Sequence, residues 1–243
     1  MTWMDRLSHF ALLDYVAISL AVGSWALLSW IIENAPARWP SMSQLMADFR
    51  RAWMQQLITR EVRVFDAQIV GSLRQGTAFF ASTSMLTLGG TLALMTNADA
   101  LTGIAGELLL IADPAFVWEI KLVFVALFLT SAFLKFVWSN RLFGYASVLM
   151  AAVPNDRDDA LCAPRAAQAA EINITAARAF NRGLRAVYFA LATVAWLIGP
   201  LALLIATGFT CAVIARREFA SHSRRILLKA PPHILPPTWA AAD

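Results

Sequence analysis

The chain has 243 residues, 59% of them apolar and only 15% charged, with a mean hydropathy of +0.59. Soluble domains carry about 25% charged residues, so an ordinary water-soluble globule is excluded. The net charge of +4 comes without a dense Lys/Arg run interleaved with aromatics, which excludes a nucleic-acid surface.

A hydrocarbon core about 30 Å thick needs about 20 mostly apolar residues in helical form. Residues 15–32 carry no charge, and the first span is predicted over 14–32. Ala35-Pro36-Ala37 resembles a signal-peptide cleavage site. Signal-peptide cores, however, run about 7–15 residues behind a basic start, whereas Asp5 and Asp14 flank this run against one Arg6. A retained first span is expected.

After Pro36 and Pro40, Ser41-x-x-Gln44 fits a capping box. Met46, Phe49, Trp53, Leu57, Ile58, Val62, Phe65, Ile69 and Leu73 then recur at steps of three and four, one stripe of a helix. An amphipathic helix is predicted over 43–76. No proline or strong break occurs before Met95, so this helix is expected to run straight into the second span, 77–96.

Residues 97–115 hold three acids and no Lys or Arg. The third span, 116–137, lies between Trp118 and Trp138, whose indoles are expected at the two membrane interfaces. Leu142–Val153 either extends it or re-enters before Pro154. Residues 155–163 read as a loop. Pro164 opens an alanine-rich segment with strong helix propensity, 165–185. It leads into a fourth span, 186–215, which Gly199-Pro200 is expected to kink. Pro231-Pro232 and Pro236-Pro237 mark residues 230–243 as an extended or disordered tail. Cys162 in a loop and Cys211 in a span are not expected to form a disulfide.

The expected fold is therefore an all-α integral membrane protein. Four transmembrane helices form a bundle within one domain, residues 1–229, with long amphipathic helical extensions (43–76 and 165–185) on the cytoplasmic side. Residues 33–76 and 138–185 carry six arginines each and residues 97–115 none, which places the first two inside. Four spans then put both termini outside. Arg216, Arg217, Arg224, Arg225 and Lys229 conflict with that placement. The tail is read as an exception; the alternative is re-entry by the long fourth segment or by 142–153.

Several blocks of residues carry a resemblance. They include Arg60-Glu-x-Arg63, Gly76-Thr-x-Phe-Phe-Ala-Ser-Thr-Ser84, Trp118-Glu-x-Lys-Leu122, Phe133-x-Lys-Phe-x-Trp-Ser-x-Arg-Leu-Phe143, Phe180-Asn-Arg-Gly-Leu-Arg185 and Arg216-Arg-Glu-Phe-x-Ser221. Over roughly residues 12–228 the chain resembles a bacterial membrane family, with plant members, known only as domain of unknown function 599. The resemblance implies a multi-span membrane protein and brings no activity, substrate or catalytic residue.

In the second span, Ser82, Thr83, Ser84, Thr87 and Thr91 bring hydroxyls, and Thr83, Thr87 and Thr91 share one face. One reading is a path for water or ions at an oligomer axis, with Glu119 at its outer mouth. The favoured reading is close helix packing, since small residues let helix backbones approach. Glu119, Lys121 and Lys135 lie near the belt tryptophans, where helix-end pairing and snorkelling account for them. Arg60, Glu61, Arg63 and Asp66, with Asn181, Arg182 and Arg185, are expected to pair across the two cytoplasmic helices as a polar clasp. Gripping anionic lipid headgroups and recognising a phosphorylated ligand are the other readings. His9, His222 and His233 are far apart and no His-x-x-His, Glu-x-x-His or Cys-x-x-Cys occurs, so no metal site, catalytic residue or cofactor is expected.

The function expected is non-enzymatic: assembly, as an accessory subunit or homo-oligomeric scaffold, with residues 43–73 as the docking helix. The expected partners are membrane lipids and further copies or other membrane subunits, in a bacterial cytoplasmic (inner) membrane. An oligomeric channel or transporter is the alternative. A lipid-modifying enzyme using Arg60, Glu61, Asp66, Asn181 and Arg182 comes third.

Overall fold

The computed structural model describes residues 8–98 and 114–229. Among them are seven α-helices, one 3-10 turn and no strand. In chain order the helices are α1 (Leu12–Glu33), α2 (Met42–Thr59), α3 (Val64–Thr96), α4 (Ala115–Ala151), α5 (Cys162–Val194), α6 (Pro200–Phe219) and α7 (His222–Leu228), with the 3-10 turn Ala195–Leu197 after α5. Four helices are long and apolar enough to cross a membrane: α1, α3, α4 and the Pro200–Leu228 stretch that α6 opens. The acidic stretch 99–113 and the Pro-rich tail 230–243 lie outside the described residues.

The capping box at the start of α2 is complete. Ser41 Oγ accepts from the Gln44 amide at 3.2 Å, and Gln44 Oε1 accepts from the Ser41 amide at 2.9 Å. The helix does not, however, continue into α3. It ends at Thr59, and Arg60 is extended at φ −84°, ψ 120°. The cause lies in side chains thirteen residues apart. Trp53 Nε1 donates to Asp66 Oδ1 at 2.6 Å, whereas in a straight helix those residues would stand about 20 Å apart. Arg60 also bonds Asp66, and the Arg63 guanidinium donates to the carbonyls of Val153 and Pro154 at 2.6 and 2.8 Å. These bonds exist only because residues 60–63 are not helical.

The uncharged run 186–215 differs in the same way. It is not one kinked span but the end of α5, a 3-10 turn, and the start of α6. Gly199 sits at φ +151°, a conformation essentially reserved for glycine. Pro200 then takes the first helical position, where its missing N–H is no loss. Tyr188, Leu191 and Ala192 of α5 line the same cavity as Ala206, Phe209 and Thr210 of α6. In one continuous helix Tyr188 and Thr210 would be about 33 Å apart. The chain therefore reverses at Gly199, and the two helices lie antiparallel.

α4 is a single helix of 37 residues, so Leu142–Ala151 extends the third span rather than re-entering. Trp118 is only 3% exposed, packed against the chain itself, whereas Trp138 is 50% exposed.

The chain divides into two compact units. Unit 1 draws on Met1–Ser29, Ser82–Phe133 and Gly183–Ile214; unit 2 draws on Trp30–Ala81, Leu134–Arg182 and Ala215–Asp243. In unit 1, Ala17, Ile18 and Ala21 of α1 are buried with Trp196 and Leu203. Phe128 stacks on Phe189 and takes Trp25 edge-on, with ring centroids 6.2 and 5.4 Å apart. In unit 2, Ala166, Ala169, Ala170 and Ala176 of α5 are buried against Met54 and Leu57 of α2 and Leu142, Phe143 and Met150 of α4. An alanine face lets the neighbouring helices approach closely. Ser139 Oγ accordingly reaches the Ala176 carbonyl at 2.7 Å. Rings of Phe80, Phe136 and Phe180 close the unit with centroids 5.4–5.5 Å apart.

A Cβ added at Gly199 would meet nothing within 4 Å, so Gly199→Ala tests the backbone alone. Holding alanine at that φ costs about 1–3 kcal/mol, and a lowered Tm in detergent is expected. An unchanged Tm would show that the turn tolerates an L side chain.

Candidate functional site

Polar side chains in unit 2 form three local knots rather than one clasp. The first is centred on Asp66, 1% exposed, which accepts from Trp53 Nε1 and from Arg60. Its Oδ2 has no partner among the described residues. Arg63 is committed to the two carbonyls after α4. Glu61 is 87% exposed and faces Arg157 at 3.7 Å, a pair too open to add much.

The second knot joins α5 to the end of α1. Arg182 makes a forked contact with Glu33, with Nε to Oε1 at 2.7 Å and a second bond from Nη2 to Oε2. The Glu33 hydrogen bond raises the Arg182 guanidinium above its ordinary value. Asn181 donates to Ser43 Oγ at 3.3 Å. Arg185 falls in unit 1 and donates to Ser29 Oγ at 3.0 Å.

The third knot ties α2 to α5, as a clasp between those helices was expected to do, but with other residues. Arg51 Nε donates to Glu171 at 2.7 Å and its Nη1 to Asp48 at 2.9 Å. Arg50 donates to the side-chain oxygen of Asn173, a fully buried residue. The sequence offered a signal for this: Arg50 and Arg51 lie off the apolar stripe of α2. Glu171 and Asn173 interrupt an otherwise alanine-rich run.

Of the nine stripe residues Leu57 alone is buried; Trp53, Ile58, Ile69 and Leu73 are half-buried, and Met46, Phe49, Val62 and Phe65 are exposed. Leu45 and Met54, beside the stripe, are buried as well.

The hydroxyls of the second span face two ways. Thr83 and Thr87 are exposed, whereas Ser84 and Thr91 are buried. Thr87 Oγ1 donates back to the Thr83 carbonyl and Thr91 Oγ1 to the Thr87 carbonyl, both at 2.9 Å. Those donors are consumed within the helix. Ser82 is also exposed.

Glu119 is half-buried at the start of α4. The more confined charges nearby are Asp14 and Lys121, 8% and 3% exposed, which line one cavity of about 340 Å³. Asp14 accepts from Trp196 Nε1 at 2.7 Å. Sequence reasoning missed this carboxylate because it stands at the first turn of a span, where acids are common. Among the described residues, no group of three or more His, Cys, Asp or Glu is placed to hold a metal ion. Cys162 and Cys211 are both free.

The family model described as "Protein of unknown function, DUF599" matches residues 16–223. The chain belongs to this family. No curated protein and no solved structure matches it. The matched stretch takes in the Asp66 knot, the reversal at Gly199 and the Glu218 side chain that caps α2 in this DUF599 member.

Removing one partner of a buried charge pair leaves the other uncompensated. Arg60→Ala is expected to destabilise the protein by about 1–3 kcal/mol, reduced because Arg60 is itself 37% exposed. Adding Asp66→Asn should recover part of that loss. Strictly additive losses in the double-mutant cycle would show that the pair is not coupled.

Proposed function

We propose that the protein is a non-enzymatic, multi-pass component of the bacterial cytoplasmic membrane that works through assembly with further copies of itself. The observation that carries this reading is the outward surface of α3. Only 17% of its span window is buried within the chain. That open surface includes Ser82, Thr83, Thr87, Gly89 and Gly90, and a Cβ added at either glycine would meet nothing within 4 Å. A helix facing only lipid tails has no use for small residues, whereas a helix packed on another helix does. The stretch from Gln75 to Ala98 carries no charge, so a second α3 can lie against the first without like-charge repulsion.

Sidedness supports the same picture. Among the described residues, Lys121 and Arg185 are the only cations in unit 1, and the other seventeen Lys and Arg belong to unit 2. With α5 and α6 antiparallel, the basic segment 216–229 no longer has to be an exception. We assign unit 2 to the cytoplasmic face by the excess of Lys and Arg there. The C-terminus is then inside and the N-terminus outside. Anionic lipids of the inner leaflet are natural neighbours of that surface.

The test is mass determination of the protein extracted in native lipid particles, with Thr83→Leu/Gly90→Leu as the variant. A homo-oligomer that dissociates in the variant is expected. A monomer, or a stoichiometric foreign subunit with no self-contact, would overturn the homo-oligomer reading. Ion flux in liposomes that is lost with Thr87→Val would move the channel reading to the front.

A further inference from the structure

The starts of three apolar helices in unit 1 meet at the cavity of about 340 Å³. Phe10 and Ala11 stand just before α1, Val117 lies in the first turn of α4, and Gly199 and Pro200 open α6. A volume of this size suits a small ligand or the headgroup of a larger one. A helix start carries partial positive charge, and three of them at one place favour an anionic group. They also set the level of the cavity. α1, α4 and the stretch that α6 opens are each long and apolar enough to cross a membrane, so a cavity at their ends lies beside lipid headgroups and not among acyl chains.

Two charged side chains, both more than nine-tenths buried, line this cavity: Asp14 at 8% exposure and Lys121 at 3%. Charges held this way in membrane-crossing helices are costly, and as a rule they mark a functional site. Asp14 takes its hydrogen bonds from neutral donors. Trp196 Nε1 donates to Oδ1 at 2.7 Å and the Ala11 amide to Oδ2 at 3.1 Å. Neither bond removes the negative charge, and each carboxylate oxygen has a second lone pair for another donor. Asp14 is thus anchored by Trp196 and Ala11, and its charge lines the same space as that of Lys121. Lys121 lies over the Trp118 ring, 5.5 Å from its centroid. An ammonium carries three donors, so it can hold an oxyanion alongside its contacts within the chain.

We propose that this cavity binds a zwitterion made of an ammonium and a phosphodiester, the chemistry of a phosphatidylethanolamine headgroup. Asp14 receives the ammonium. Lys121 and the helix starts hold the phosphate oxygens through charge-assisted hydrogen bonds. Phe10, Val117 and Ile198 supply an apolar wall for the carbon skeleton. A ligand with a phosphate alone would set a second negative charge beside Asp14, and one with an ammonium alone would set a second positive charge beside Lys121. Like charges so close are unfavourable away from water, so the walls suit a ligand carrying both. The site is built within a single chain and does not depend on assembly.

The experiment is binding to the full-length protein in detergent, followed by thermal shift and native mass spectrometry. Three probes are used: dihexanoyl phosphatidylethanolamine, dihexanoyl phosphatidylglycerol, which keeps the phosphodiester without an ammonium, and glycerophosphoethanolamine, which has no acyl chain. Saturable binding of phosphatidylethanolamine is expected, at least about tenfold tighter than that of phosphatidylglycerol. Equal binding of glycerophosphoethanolamine would name a water-soluble zwitterion as the ligand; binding of the acylated probe alone would name the lipid. Lys121→Gln should weaken binding of every probe that the unaltered protein holds. Asp14→Asn should abolish the preference for phosphatidylethanolamine and bind phosphatidylglycerol more tightly than the unaltered protein does, a gain that misfolding does not produce. Equal binding of the two lipids to the unaltered protein, no binding of any probe, or an undiminished preference in Asp14→Asn would overturn the proposal.

Discussion

The reversal at Gly199 decides which residues meet in the rest of the protein. An uncharged run of 30 residues is longer than a bilayer requires, and nothing in its hydropathy says where it should bend. The backbone supplies the answer. Gly199 adopts a positive φ and Pro200 cannot donate a hydrogen bond to the preceding turn, so a helix arriving from α5 has to stop there. Once α6 runs back along α5, Glu218 is brought to Ser43. Arg224 likewise donates to the Pro40 carbonyl at 2.9 Å. Two contacts between residues more than 170 positions apart thus follow from one dihedral angle.

A second break has the opposite origin. Residues 60–63 contain no glycine or proline, and helix propensity alone would carry α2 into α3. What stops the helix is polar satisfaction. Asp66 is buried, and a buried carboxylate needs donors. Trp53 and Arg60 can supply them only if the chain folds back between Thr59 and Val64. Arg63 then finds the carbonyls of Val153 and Pro154, which the end of α4 leaves without intrahelical partners. Tertiary bonds of this kind outweigh the few tenths of a kcal/mol per residue that separate ordinary helix formers.

These two breaks mark the limit of what the sequence makes legible. Uncharged runs, capping residues and hydrophobic periodicity are local signals. They correctly locate the apolar helices, the Ser41–Gln44 cap and the extension of α4 past Arg141. The turn at Gly199 was visible as a glycine-proline pair, but a kink and a full reversal share that signature. Only the packing of Tyr188 and Leu191 beside Ala206 and Phe209 separates them. The polar partners were less legible still. Arg182 was expected to meet the 60–66 region and instead forks onto Glu33, 149 positions away. Charge type and spacing indicate that an arginine needs a partner. Among sixteen acids, they do not indicate which one.

The distribution of charge between the two units has a consequence for how polar groups are satisfied. In unit 1 the few buried charges must find partners without water, as Asp14 does with the Trp196 indole. In unit 2 the cations outnumber what the local acids can neutralise. Asp66, Glu33, Glu171 and Glu218 are each taken up by a specific contact. The sidedness preference depends on the number of Lys and Arg near a span and not on their mutual placement, so this excess of cations can set orientation while the acids are spent on packing contacts.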